Sequence, residues 1–270
     1  MPVTRAELLA AVERSPAAAH AHDRAGWIAL FTDDACVEYP VGSTPHCGRR
    51  GIERYYDTFI GPRDVTFHPD VDVVAGPTVI RDLELEVTMP PGLVLRIPAY
   101  LRYDLRPERG ELKITRLQAY WEMPSTLGQF VRGGMGGLPA GARLTLGLLR
   151  HQGLAGAAGF VGGLRGVGAA GKRDFADFLD RACAGDEIAA RRRLAGGPAI
   201  TSGDDGRLGR SGLIERLAGS RPHKLIGSGH SLVAAIERAG RRDILIAEVE
   251  PKPFTITRIR YFAATGPDDV

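Results

Sequence analysis

Apolar residues recur at helical spacing from Arg5 to Phe31, with Leu8, Leu9 and Val12 in one segment and Trp27, Ile28 and Phe31 in the next. Thr4 followed by Glu7 is a capping-box start, and Pro16 is the expected break between two helices. A short strand, ACVEY, follows, and Gly48 to Ile60 reads as another helix. Four runs rich in Val, Ile, Leu and Tyr come next: VTFHPDVDVVA, TVIRDLELEVT, VLRIPAYLRYD and LKITRLQAYWE. They are separated by GPT, MPPG and RPERG, which are turn sequences. Helices first and then strands in succession predict an α+β unit with a sequential antiparallel meander.

From Pro124 to Gly171 this pattern stops. The stretch is crowded with Gly, Ala and Leu, carries Arg132, Arg143, Arg150 and Arg165, and has no acidic residue. Between charges it leaves only GLAGAAGFVGGL, too short to cross a bilayer. It reads as a partly helical connector over 124–172, and its apolar, purely basic character makes a membrane-surface segment the alternative. GVGAAGKR, Gly166 to Arg173, imitates a phosphate-binding loop, but Arg173 stands where a Ser or Thr hydroxyl would hold magnesium. A Gly/Ala-rich run precedes these glycines where a strand is needed, so they read as flexible chain.

After Arg173 the first pattern starts again, with DFADFLDRACAG, DEIAARRRLAG, a glycine-bounded helix and strands. GRRGIERY at Gly48 returns as GRSGLIERL at Gly209, and ITRLQAYW at Ile114 returns as ITRIRYFA at Ile256. Two echoes in the same order, near corresponding ends of two halves, predict a duplication. The expected domains are 1–123, a linker 124–172, and a second, degenerate domain 173–264.

Composition changes this picture little. Hydrophobic residues make up 44% and charged residues 25% of 270, with a formal charge of +3. That charge is too small and too dispersed to point to nucleic acid. Cys36, Cys47 and Cys183 are odd in number and form no CxxC pair, which argues against a disulfide framework or structural zinc and fits a reducing cytoplasm. The N-terminal helix lacks the apolar core of a signal peptide. His20 and His22 share no helical face, and the remaining histidines lack paired spacing, so neither a metal nor a cofactor is expected.

FTDDACVEYPVGSTPHCGRRGIERYYDTF, together with the final strand ITRLQAYWE, resembles the ketosteroid isomerase and SnoaL-like branch of the nuclear transport factor 2-like superfamily. The likeness covers residues 5 to 123 and, more faintly, 173 to 264. It implies two cone-shaped α+β domains, each a curved antiparallel sheet wrapped around helices with a ligand pocket inside. It also implies an internal pseudo-dimer or a homodimer. Strand alternation then assigns the faces. Leu83, Leu85, Val87, Ala99, Leu101, Leu117, Ala119 and Trp121 point inward, while Asp82, Glu84 and Glu86 point the other way.

Carried over position by position, the family's base falls on Tyr39, its protonated acid on Ala99 and its donor tyrosine near Ser15, so none of the three is kept. Tyr56 matches a supporting tyrosine and Trp121 a pocket aromatic. The expected ligand site is Tyr39, Tyr56, Leu83, Leu85, Ala99, Ala119 and Trp121, apolar with few polar handles, and suited to a flat hydrophobic molecule such as a steroid, terpenoid or polyketide. Tyr39 is the candidate catalytic residue, as a donor to a carbonyl or epoxide oxygen, since a phenol is a poor base at neutral pH. An isomerase or cyclase using Tyr39, a histidine or a displaced carboxylate such as Asp205 is the alternative to simple binding, and His46 is a candidate pocket residue. The Asp204–Asp205 pair otherwise reads as turn chemistry.

Overall fold

The structure is a computed structural model that describes residues 3–89, 93–122, 125, 126, 128 and 166–264. It divides into two compact units, each built on one six-stranded sheet. The connector reading of 124–172, with its membrane-surface alternative, falls mostly on residues outside those described.

In the first unit, α1 (Arg5–His20) begins with Thr4 and Glu7 capping one another. Pro16 does not end it. Pro16 lies within the helix with Leu8, Ala11, Val12, Ser15 and Ala19 on a buried face, and that packing outweighs the one backbone hydrogen bond a proline forfeits. The break comes at His22, whose φ of 52° leaves the helical region. Asp23 then caps α2 (Arg24–Ala29) by accepting from the Gly26 N–H at 2.8 Å.

β1 (Phe31–Glu38), β2 (His46–Cys47), α3 (Gly48–Tyr55) and a π-helical turn (Tyr56–Ile60) follow. The four strand-rich runs become β3 (Asp64–Ala75), β4 (Thr78–Met89), β5 (Leu93–Glu108) and β6 (Glu111–Tyr120). The sheet order is β2-β1-β6-β5-β4-β3. β4, β5 and β6 pair antiparallel, but β1 lies parallel to β6, so the sheet is mixed rather than wholly antiparallel. A tight turn forces antiparallel pairing on neighbours in sequence, and no such turn joins β1 to β6.

The second unit repeats this plan with α4 (Gly168–Cys183), α5 (Glu187–Arg191), β7 (Leu194–Ser202), β8 (Gly206–Arg207), α6 (Gly209–Leu217), β9 (Arg221–Ser228), β10 (Ser231–Arg238), β11 (Arg241–Pro251) and β12 (Phe254–Phe262). Its order, β8-β7-β12-β11-β10-β9, is that of the first sheet, with β7 and β12 again parallel. The echoed segments occupy matching places. GRRGIERY is the whole of α3 and GRSGLIERL the whole of α6. Ile114 and Ile256 each donate an N–H at 2.8 Å to the residue just before the parallel strand or its neighbour, Leu30 and Arg193, and a register shift follows in both. Shared irregularities of this kind are consistent with a tandem duplication.

Two expectations are corrected. The glycines of GVGAAGKR are not flexible chain: Gly168 opens α4, and a Cβ at Gly171 would collide with Val167 at 1.9 Å. Cys36 and Cys47 face each other in the β1–β2 pairing and form a disulfide. Counting cysteines missed it because antiparallel register, not sequence spacing, brings the pair together. The ground for expecting a reducing compartment goes with it. Cys183 is buried with its thiol pushed up to about 11 by desolvation. No helix among the described residues is long and apolar enough to cross a membrane.

Candidate functional site

The helix-facing side of the first sheet is marked by its contacts with α1. Arg81 on β4 meets Glu13 at 2.8 Å. Tyr103 on β5 shares a hydrogen bond with Ser15, whose Oγ also accepts from Trp27 Nε1 at 3.2 Å. Alternation from Arg81 and Tyr103 puts Leu83, Leu85, Ala99 and Leu101 on this side, and cross-strand pairing adds Leu117 and Ala119. All six are almost fully buried.

Tyr39 enters this interior from the end of β1. Its loop is tied down on both sides: Val41 N–H donates to the Ala119 carbonyl at 2.8 Å, Gly42 N–H to Glu38 Oε1 at 2.9 Å, and Ser43 Oγ to the Pro40 carbonyl at 2.6 Å. Gly42 adopts a φ of 95°, which a side chain would oppose. Gln118 Nε2 anchors the other Glu38 oxygen at 2.8 Å. The Tyr39 ring lies 5.7 Å from Tyr55 and 6.4 Å from Trp121. Tyr55 lies 5.2 Å from Phe59, and His46 is within 5.5 Å of Tyr55 and 6.2 Å of Phe59.

Tyr39 keeps part of its surface accessible, yet desolvation raises its phenol well above the ordinary value, with Tyr103 adding to the rise. Burial likewise raises Tyr55, with Tyr39 as the next cause. It pushes Tyr103 up to about 12, partly opposed by Arg81. All three phenols are therefore neutral hydrogen-bond donors at ordinary pH. Burial, then Arg54, lowers the pKa of His46, which favours its uncharged form.

Two buried polar atoms here have no partner among the described residues: Trp121 Nε1 and Tyr56 Oη. Trp121 is on the Tyr39 group. The Tyr56 ring lies 5.5 Å from Trp27, which Tyr55 also meets at 5.9 Å, and its phenol is raised by burial and by Asp23. Its neighbour Tyr55 is the tyrosine beside Tyr39. Tyr55, Phe59 and Tyr103 were not singled out in the sequence, although the alternation that selects Ala99 and Leu101 extends directly to Tyr103.

The acids that influence Tyr103 are Asp72 and Glu13. Asp72 holds the buried Arg81 through two bonds of 2.8 and 3.0 Å, and Glu13 supplies a third. Both carboxylates are thus engaged by a cation. Asp205 is exposed in the turn between β7 and β8. A separate groove of about 420 Å³ lies between α1 and the β5–β6 turn, lined by Glu7, Ala10, Ala11, Arg14, Pro107 and Leu112, and it touches none of the expected site residues.

Residues 12–116 match the family model of the SnoaL-like domain. Among solved structures, the chain is 30% identical to a Δ5-3-ketosteroid isomerase from Mycobacterium sp., over 44% of this chain and 95% of that one, with a TM-score of 0.40. It is 24% identical to a Mycobacterium tuberculosis protein solved in complex with estradiol-17β-hemisuccinate, over 44% and 95%, with a TM-score of 0.40. It is 20% identical to an M. tuberculosis epoxide hydrolase, over 47% and 92%, with a TM-score of 0.41.

Proposed function

Because the chain belongs, through its first unit, to the SnoaL-like and ketosteroid isomerase-like branch of the nuclear transport factor 2-like superfamily, we propose that this unit binds a flat, hydrophobic, sparsely oxygenated small molecule of the steroid, terpenoid or polyketide kind. It does so without the carboxylate chemistry of an isomerase. The observation that carries this reading is the character of the interior polar groups. Beside the paired Arg81, they include three neutral phenols, Tyr39, Tyr55 and Tyr103, and the Trp121 N–H, which has no partner among the described residues, with Ala99 on the same face. Rings and aliphatic walls reward the burial of apolar area at roughly 25 cal/mol per Å². A few fixed donors orient an oxygen acceptor.

Proton abstraction beside a ketone needs a base whose pKa lies near the working pH. Tyr39, raised by burial, keeps its proton and can only donate, and Asp72 and Glu13 are held by Arg81. A raised phenol does favour one catalytic alternative, in which Tyr39 polarises a carbonyl or epoxide oxygen.

Native mass spectrometry of the purified chain against a panel of ketosteroids and polycyclic polyketides separates these readings, with the released molecules analysed afterwards. Binding with the ligand returned unaltered is the expected result. Chemical conversion that is lost in Tyr39→Phe would establish the catalytic alternative instead, and no binding across the panel would remove the ligand class.

A further inference from the structure

Arg63 lies just beyond the π-helical turn, where its N–H closes onto the Ile60 carbonyl at 3.1 Å. Its guanidinium stands 5.9 Å over the Phe59 ring, at one end of the aromatic series that runs through Tyr55 and Tyr39 to Trp121. One of its N–H groups donates to the Thr58 carbonyl at 2.6 Å. Among the described residues no carboxylate pairs with it. The acids on neighbouring elements are committed elsewhere: Glu53 to Arg49 at 3.3 Å, Asp57 to Arg24 at 2.7 Å, and Asp64 to His22 at 3.0 Å.

A guanidinium has five N–H donors, and removing it from water is costly unless a charge or several acceptors answer it. Here desolvation lowers the Arg63 pKa, and a cation–π contact offsets only part of that cost. His46 and Phe59, both half-accessible, stand beside it, and Arg54 is close enough to act on His46. The edge of the aromatic site is therefore basic, while the Trp121 N–H at its other end has no acceptor among the described residues.

We propose that the ligand of the first unit is amphipathic: an apolar ring system with a hydrogen-bond acceptor for Trp121 and an anionic group, a carboxylate or sulfonate-like oxyanion, that pairs with Arg63. This rests on the binding reading above and narrows it to acidic molecules. An oxyanion completes the fork of the guanidinium in a way that a neutral ketone cannot.

The test uses two dyes of nearly the same shape, anilinonaphthalene sulfonate and its uncharged relative phenylnaphthylamine. Energy transfer is read from Trp27 and Trp121, the two tryptophans of the chain. The wild-type protein is expected to hold the sulfonate roughly tenfold tighter or more, as a charge-assisted hydrogen bond allows. Arg63→Gln is expected to abolish that preference with the neutral dye unaffected, and Arg63→Lys to retain part of it. Equal affinity of the wild type for both dyes, or a preference that survives Arg63→Gln, overturns the proposal while leaving a hydrophobic site intact. Binding of neither dye removes the site itself, and the anionic ligand with it. If Arg63→Gln does not fold, the preference in wild type must still weaken steeply as salt is raised, and a salt-independent preference counts against the pair.

Discussion

The two units share strand order, the parallel pairing beside the last strand and the register shift at Ile114 and Ile256, yet they use their interiors differently. Sheet register makes the comparison residue by residue. Ala119 lies opposite Leu101, and Tyr261 lies opposite Leu245 in the same place. Tyr103 corresponds to Ala247, Arg81 to Ala234 and Ala99 to Asp243. In the second unit the Tyr261 ring joins a buried cluster with Phe175, Phe178, Leu179 and Leu245. Its hydroxyl is taken up by Asp243, which also accepts from the Ala264 N–H at 2.7 Å. The first unit places a methyl group where the second places a phenol, and it sets the Tyr39 ring beside Tyr55 and Trp121. One fold thus accepts either a methyl group or a phenol at the same inward position.

The strongest way to break the comparison is to remove the filling ring. Tyr261→Ala is expected to destabilise the second unit by about 3–5 kcal/mol, the usual loss for a buried aromatic, read as a fall in the far-UV circular dichroism melting transition. A loss below about 1 kcal/mol would mean that Tyr261 is not what closes that interior. The reciprocal change, Ala119→Tyr, puts the second unit's residue into the first. Dye binding should then fall below detection, while overpacking costs about 1–3 kcal/mol; unchanged affinity would place the ligand elsewhere.

A third difference is covalent. The β1–β2 pair is clamped by Cys36–Cys47, whereas the matching β7–β8 pair carries Thr201, Ser202, Gly206 and Arg207. Cys36→Ser with Cys47→Ser should lower stability by about 2–3 kcal/mol, as expected for a short loop closure. Dithiothreitol should lower the melting temperature of the wild type but not of the double variant. Identical behaviour of the two proteins with and without reductant would show the thiols unpaired.

The last effect is confined to high pH. Burial pushes the folded Tyr103 phenol up to about 12, against about 10 for tyrosine in the unfolded chain. The folded state therefore holds the more protons between those values, so stability is complete below pH 10 and falls as pH rises, by up to about 1.4 kcal/mol per pH unit for this phenol. Tyr103→Phe should flatten that fall. A curve of the same slope in the variant would assign the loss to other groups.

Part of this contrast was open to reading in advance. The echoes GRRGIERY and GRSGLIERL mark α3 and α6 end to end, because glycine at a positive φ starts both helices, at Gly48 and Gly209. Alternation named Ala99, Leu101, Leu117 and Ala119 as inward because strand side chains have a period of two, whatever the tertiary context. The break at His22 was misread as one at Pro16, since the burial of one face decides whether a helix tolerates a proline. Tyr55 was missed in favour of Tyr56 for a rotational reason. Adjacent helical residues point about 100° apart, so an uncertainty of one residue in alignment exchanges Tyr55, whose ring lies near Tyr39, for its neighbour Tyr56.

What the sequence determined by itself is what depends on local periodicity: the order of elements, the repeat and the inward faces. Only the tertiary structure decided the parallel seating of β1 beside β6, the Cys36–Cys47 pair, the meeting of Tyr39 with Tyr55, Tyr103 and Trp121, and the absence of a carboxylate partner for Arg63 among the described residues. These are contacts between residues far apart in the chain. Their energies arise only when desolvation and register act together, so local periodicity does not reveal them.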